Sequence, residues 1–130
     1  MTAQAKGQFE VKIIPQKEDR EIALMGRMTI DKVFHGDLEG SSQGQMLSSG
    51  TAIPNSAGYV AIEKVEGTLQ GKRGTFVLQH HATMNKGEAM LEIIVIPDSG
   101  TDQLLGLSGK LNIIRKEGKH FYEFEYTLPD

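Results

Sequence analysis

Two residues whose side chains could carry acid–base chemistry, Glu63 and His80, lie on neighbouring predicted strands. The odd positions of residues 59–69 and the even positions of residues 74–84 are mostly apolar, which assigns both side chains to the inward face. A carboxylate beside an imidazole is a common acid–base unit. The pair can equally be structural, because a buried glutamate and a buried histidine satisfy each other, or it can lie in water at the rim of the fold.

The turn between these two strands predicts how they pair. A two-residue turn at residues 71–72, or a four-residue loop over residues 70–73, keeps the apolar faces together and sets Glu63 directly opposite His80. A three-residue loop would mix the two faces, which a half-buried sheet resists. We therefore expect Glu63 and His80 to face each other, with Cβ atoms about 4.5–5.5 Å apart.

Aromatic residues at inward positions are further candidates for contact with a ligand. Packing in the core is the alternative for all of them, because aromatic side chains dominate both settings. The four residues are Phe76, Tyr122, Phe124 and Tyr126. His80 and His81 point to opposite faces of a regular strand and cannot both bind one metal ion. Since no HxH or HExxH spacing is present, we expect neither a metal nor another cofactor.

The elements that position these residues are predicted to be strands along almost the whole chain. Apolar and polar residues alternate with period 2 nearly everywhere, and the 15 glycines mark many turns. Strands are predicted over residues 9–13, 21–39 (with a bend near Gly26 or a turn within 36–40), 44–50, 59–69, 74–84, 89–96, 110–115 and 120–128, with a helical turn around 103–105. Because open sheet edges are a liability, we predict an all-β fold: a single antiparallel up-and-down β-barrel of about eight strands, with residues 1–130 as one domain.

The same alternation predicts which apolar side chains form the core. The expected inward set is Val11, Leu24, Met28, Ile30, Val65, Phe76, Leu78, Ile93 and Val95. Residues 89–96 are the most apolar run, which favours a central strand.

Composition and charge exclude several classes of function. The formal net charge is -3, from 14 Lys and Arg against 17 Asp and Glu, and neither sign is clustered, so no nucleic-acid partner is expected. The chain has no cysteine, its first residues (MTAQAKG) lack the apolar core of a secretory signal, and no apolar stretch has the length of a membrane helix. We expect a cytoplasmic protein with no membrane partner.

Several sequence runs resemble one bacterial family. The runs EKVEGTL (63–69), GTFVLQH (74–80), FHGDLEG (34–40), VIPDSGT (95–101) and LLGLSG (104–109) resemble the domain of unknown function 3224 family, DUF3224. That family is similar to the allene oxide cyclase and dirigent barrels, whose eight strands surround an apolar cavity for a small hydrophobic molecule and which are often oligomeric. The resemblance implies a cavity and a homo-oligomer, with a dimer favoured. No catalytic residue of the cyclases matches a position of this chain.

Two functions are compatible with these patterns. The first is a barrel that binds a small apolar molecule, with cyclase- or isomerase-like activity as an extension and with Glu63 and His80 in the cavity. The second is a non-enzymatic oligomeric or regulatory barrel whose interior is filled by aromatic side chains. The residues alone identify no ligand and do not establish an enzymatic activity.

Overall fold

The computed structural model describes residues 2–17 and 22–129, and its eight strands close into one barrel. The strands are β1 (Thr2–Pro15), β2 (Met25–Gly36), β3 (Leu38–Gly50), β4 (Ala57–Leu69), β5 (Lys72–Asn85), β6 (Glu88–Val95), β7 (Ser108–Lys116) and β8 (Lys119–Thr127). Each strand pairs antiparallel with the next along the chain, and β8 pairs with β1. The predicted all-β up-and-down barrel is confirmed. Glu21, the first residue of the predicted segment 21–39, lies outside the described residues.

Alternation of side chains along each strand decides which of them reach the barrel interior. In β4 the odd positions from Ala61 to Leu69 are buried and the even positions are mostly exposed, as the period of a strand requires. The same phase holds in β5, where the even positions from Gly74 to His80 are buried. The interior therefore receives one residue in two from every strand.

One end of the barrel, which we call the closed end, is packed with large apolar side chains. It carries the β2–β3 and β4–β5 turns and the β6–β7 connection, in which a 3-10 helix spans Asp102–Leu104. Leu104 is fully buried and lies over Gly74, where an added Cβ would come within 3.2 Å of the Leu104 side chain. Leu107 is buried beside it. The connection thus covers the interior, and the helical turn lies one residue before the predicted 103–105.

The opposite end, which we call the open end, leaves inward-facing side chains in contact with solvent. Ile13 continues the inward series of β1 but is 46% exposed, and Leu91 continues that of β6 and is 40% exposed. β6 and β7 share one register pair, Ile94 with Lys110. β6 was expected to be a central strand, but its residues 88–92 are exposed. The barrel wall is least continuous between β6 and β7, because Ile94 with Lys110 is the one register pair that holds these strands side by side among the described residues.

The predicted pairing of β4 with β5 is wrong by two residues. The turn consists of Gln70 and Gly71, so Glu63 pairs with Leu78 and His80 pairs with Ala61. Both turn residues have positive φ, 45° and 88°, as a type I′ hairpin turn demands. A glutamine in a sequence does not indicate a residue with positive φ. Here the Gln70 amide donates to the Asp37 carbonyl at 2.8 Å, and the Gln70 side chain bonds to Gln4 and Tyr126.

The predicted core is confirmed in its main part. Ile30, Val65, Phe76, Leu78, Ile93 and Val95 are buried, whereas Met28 is half-buried and Val11 packs against the core from a partly buried position. The prediction is wrong for Leu24, which is 63% exposed and has a φ of 67°, because β2 begins only at Met25. The alternation of apolar residues extends to Leu24, before the first residue of β2, but the extended strand backbone does not.

Candidate functional site

Glu63 is a carboxylate that is fully buried in the barrel interior. It lies on β4 with 0% exposure, in the half that leads to the open end. Its β3 neighbour is Gly44, where an added Cβ would lie 2.7 Å from the Glu63 Cα and 2.3 Å from the Ile62 carbonyl oxygen. The glycine lets the two backbones approach closely at the point where the carboxylate enters the interior.

Three side chains from three other strands donate hydrogen bonds to this carboxylate. Lys32 of β2 places its Nζ 2.8 Å from Oε1, and His80 of β5 places its Nε2 2.6 Å from the same oxygen. Ser42 of β3 donates its hydroxyl to Oε2 at 2.5 Å. All three donors are buried. We call Lys32, Ser42, Glu63 and His80 the polar cluster; its members are on the four consecutive strands β2 to β5.

The environment of Glu63 keeps it ionised. Burial by itself raises the pKa of the carboxyl group, but the hydrogen bond from His80 and the charge of Lys32 outweigh it, and together with the remaining contacts they lower the pKa from 4.5 to about 2. Lys32 is held in turn by two rings, with its Nζ 5.1 Å from the centroid of Phe9 and 5.9 Å from that of Phe34. The carboxylate is therefore a fixed negative charge inside the barrel.

His80 is the member of the cluster with one unused polar atom. A carboxylate only accepts hydrogen bonds, so the Nε2 that faces Glu63 carries the proton. The other ring nitrogen, Nδ1, is buried and has no hydrogen-bond partner among residues 2–17 and 22–129. In the neutral ring with its proton on Nε2, Nδ1 presents a lone pair. Chemically this is an imidazole held by a carboxylate with its second nitrogen free to accept a proton or a hydrogen bond.

Tyr59 lies beside His80 toward the open end. It is half-buried at an inward position of β4, and its ring centroid is 6.3 Å from that of His80. Burial raises the pKa of the Tyr59 hydroxyl and the charge of Glu63 raises it further, while Arg115 of β7 acts in the opposite direction. No described residue forms a hydrogen bond with this hydroxyl. Tyr59 therefore keeps its proton and can donate it.

The comparisons with known proteins place the chain in a family. The family model described as "Protein of unknown function (DUF3224)" matches residues 5–126. The chain belongs to the DUF3224 family. The crystal structure of a protein with unknown function from this family, from Shewanella oneidensis MR-1, is similar over 100% of this chain and 99% of that one, with 44% identity and a TM-score of 0.93. A search of curated proteins found no match. The further likeness to allene oxide cyclase barrels stays a prediction.

In this DUF3224 barrel, Glu63 and His80 meet as predicted, although not directly opposite each other. They are diagonal neighbours on one face, because His80 lies two residues along β5 from Leu78, the residue that pairs with Glu63. Long side chains bridge such diagonals, and here they form the 2.6 Å contact. The prediction that both side chains point to the inward face was right, because a register shift of two residues does not change the face to which a side chain points.

The four aromatic candidates lie in the core of the closed half. The rings of Phe76 and Phe124 are stacked with centroids 5.8 Å apart, and Tyr126 stacks on Phe124 at 5.3 Å. The Tyr122 hydroxyl accepts a hydrogen bond from the Leu38 amide and donates to a backbone carbonyl of the β2–β3 corner. These residues show the packing that was the alternative to ligand contact. Within the part of the chain that the structure describes, none of the four forms a ring contact or a hydrogen bond with a member of the polar cluster.

Sequence reasoning missed three residues of the site: Lys32, Ser42 and Tyr59. Lys32 and Ser42 each occupy an inward position of a strand whose neighbours in the same phase are apolar or glycine. A polar residue in the apolar phase is the signal that reveals them, since a buried ammonium group requires a partner. Tyr59 is one of the odd, inward positions of residues 59–69, but its residue type and spacing do not indicate a role in the site.

Within residues 2–17 and 22–129, no group of three or more His, Asp or Glu is placed to hold a metal ion. No helix in the same ranges is long and apolar enough to cross a membrane.

A concavity lies on the outer face of strands β2 to β5, near the open end. It has a volume of about 680 Å³, and its apolar lining includes Met25, Leu47 and Val60. An adjoining groove of about 390 Å³ continues it past Ile62. These four side chains are each more than half exposed and form one apolar strip, which we call the outer strip.

Proposed function

We propose that this protein binds a small, largely apolar molecule in the open half of the barrel, with a hydrogen-bond donor of that molecule on His80 Nδ1. The observation that supports this is the unpartnered, buried Nδ1 at the edge of an otherwise satisfied polar cluster. Buried polar atoms in folded proteins nearly always have a partner, and an exception calls for an explanation. A ligand that reaches the interior through the open end supplies one.

The side chains around the cluster have the chemical character that contact with such a molecule requires. The inward residues between the cluster and the open end are mostly apolar, among them Ile13, Met28 and Leu91. Ligand sites are typically apolar concavities with a few polar groups that fix the orientation. The cluster would supply the polar anchor and the walls would hold the apolar body.

The test compares two probes that differ in one donor. 1-Naphthol has an apolar body and a hydroxyl donor, and 1-methoxynaphthalene is its counterpart without the donor. We expect the protein to bind 1-naphthol about 2- to 12-fold more tightly, the value of one net hydrogen bond of about 0.5–1.5 kcal/mol. Calorimetric or fluorescence titration measures both affinities.

Matched variants locate the probe. His80→Leu should abolish the preference for 1-naphthol, whereas His81→Leu, a change of the neighbouring residue on the outer face, should retain it. Val60→Lys should also retain it, because Val60 belongs to the outer strip and not to the interior. Failure of both probes to bind, or a preference that survives in His80→Leu, would contradict the proposal.

A second candidate function, self-association, is favoured by the outer strip. Contiguous apolar surface of this kind is typical of interaction sites. The strip is bordered by Gln45 and Gln79, whose amides both donate and accept, so that a second copy of the same surface can satisfy them. We propose a homodimer through this face. Ultracentrifugation should show a dimer that Ile62→Glu dissociates. A protein that is monomeric at high micromolar concentration would contradict it.

A further inference from the structure

We propose that His80 and Tyr59 form a proton-transfer pair that enolises a carbonyl compound bound in the open half of the barrel. The inference rests on the proposed function, since it concerns the same interior site, and it names the substrate class as a small apolar ketone or aldehyde with an acidic C–H next to the carbonyl. The geometry that carries it is a buried imidazole nitrogen, His80 Nδ1, and a phenol hydroxyl, that of Tyr59, neither of which has a hydrogen-bond partner among residues 2–17 and 22–129 and whose rings lie 6.3 Å apart between centroids.

His80 has the arrangement of a positioned base. Its Nε2–H is held by Glu63 at 2.6 Å, so the ring is fixed and the lone pair of Nδ1 is directed away from the carboxylate. When Nδ1 takes a proton, the nearby carboxylate stabilises the imidazolium that forms. Glu63 is thus a positioning residue. Lys32 and Ser42 hold it in place from inside the barrel, on β2 and β3.

Tyr59 has the arrangement of the acid partner. Tyr59 belongs to the same inward face of β4 as Glu63, nearer the open end, and its hydroxyl has no hydrogen-bond partner among the described residues. Lys32, a member of the polar cluster, also has donor hydrogens, but its ammonium group already contacts Glu63 and the rings of Phe9 and Phe34. The carbonyl oxygen of a bound ketone would therefore be placed on Tyr59.

The chemical step balances without a cofactor. His80 Nδ1 removes a proton from the carbon next to the carbonyl, the C–H electron pair forms a C=C bond, and the carbonyl π pair moves onto oxygen, which Tyr59 stabilises by a hydrogen bond. Return of the proton to the same carbon gives exchange of that hydrogen. Return to a different carbon of a conjugated enolate moves a double bond and gives an isomer.

The experiment measures exchange with 2-indanone, a small apolar ketone with acidic hydrogens. The protein is incubated with 2-indanone in D₂O, and loss of the α-hydrogen signal is followed by proton NMR against buffer alone. We expect exchange above the buffer rate. His80→Gln should reduce the protein-dependent rate roughly tenfold or more, toward the 10²–10⁴ that a positioned base contributes. Tyr59→Phe should reduce it roughly tenfold or more as well, as loss of an oxyanion donor does. His81→Gln, on the outer face, should leave it unchanged.

Two controls separate the possible failures. Circular dichroism establishes that each variant is folded, and Tyr59→Phe serves if His80→Gln does not fold, because the Tyr59 hydroxyl has no described structural partner. Saturation-transfer NMR measures binding of 2-indanone independently of exchange. Binding without exchange, or exchange that survives in Tyr59→Phe or in folded His80→Gln, overturns this inference and leaves the proposed function standing. Absence of 2-indanone binding overturns this inference, whereas the proposed function is overturned only if 1-naphthol also fails to bind.

Discussion

Glu63→Gln is the substitution that tests the polar cluster most sharply. The amide keeps the shape of the side chain but removes its charge, so Lys32 would remain 5% exposed in the barrel interior without its counter-ion. His80 and Ser42 would each keep a weaker, neutral partner. We therefore expect a folded but strongly destabilised protein.

The magnitude follows from the pKa of Glu63. A fall from 4.5 to about 2 means that the folded state favours the ionised carboxylate by about 3 kcal/mol, at about 1.4 kcal/mol for each pKa unit. Removing one partner of a buried ion pair typically costs about 3–5 kcal/mol, because the other charge stays buried. The two arguments agree, and we expect Glu63→Gln to lower the free energy of unfolding by about 3–5 kcal/mol.

Urea unfolding of four proteins provides the assay: the wild type, Glu63→Gln, Lys32→Met and the double variant. The two changes should be non-additive by about 1–3 kcal/mol, because Lys32→Met removes the charge that Glu63→Gln leaves unpaired. Glu66→Gln, an exposed position on the outer face of β4, is the matched control and should change stability by about 0.5 kcal/mol or less. A loss below about 1 kcal/mol for Glu63→Gln, or strict additivity in the cycle, would refute the reasoning.

Four further predictions concern stability. The contribution of Glu63 to the free energy of unfolding is the value for the wild type minus that for Glu63→Gln. It should be complete above pH 4.5 and decrease as the pH falls through about 2, because the pKa of Glu63 is depressed in the folded state; a difference that stays constant between pH 5 and 2 would contradict this. Gly44→Ala should cost about 1–3 kcal/mol, because its Cβ would lie 2.3 Å from a carbonyl oxygen, whereas Gly26→Ala, with its nearest atom at 3.7 Å, should cost little; equal effects in thermal unfolding would contradict it. Tyr122→Phe should cost about 1–3 kcal/mol in urea unfolding, because a buried backbone amide of β3 loses its acceptor; an unchanged midpoint would show that the bond contributes nothing. Phe76→Ala should cost about 3–5 kcal/mol in guanidinium unfolding, because the ring is fully buried and stacked, and a loss below about 1 kcal/mol would contradict that packing.

The barrel could be predicted from the sequence because alternation is a local signal that survives in every strand. Inward and outward residues exchange every second position, so the apolar phase of β4 and β5 assigned Glu63 and His80 to one face without knowledge of the register. The register itself depended on Gln70, whose positive φ is stabilised by contacts with Asp37 and Tyr126, both distant in sequence. No local pattern contains that information.

The site was predicted only in its central pair. Lys32 stands in the apolar phase of β2 between Ile30 and Phe34, and an ammonium group at such a position implies a buried counter-charge. That counter-charge is Glu63, two strands away in the closed barrel, and the sequence does not order strands in space until the topology is known. The difference between the closed and open ends also depends on the fold of residues 96–107 over the interior, with Leu104 as the covering side chain.

The central claim is that Glu63 holds His80 with Nδ1 free to receive a ligand, and nitrogen NMR of the imidazole tests it most directly. Long-range proton–nitrogen correlation spectra of the ¹⁵N-labelled protein, assigned with His80→Leu, report which ring nitrogen carries the proton. We expect the proton on Nε2, and we expect the Nδ1 resonance to move when 1-naphthol is added, since the hydroxyl donates to that nitrogen. A proton on Nδ1, or an Nδ1 resonance that does not respond to saturating 1-naphthol, would contradict the account.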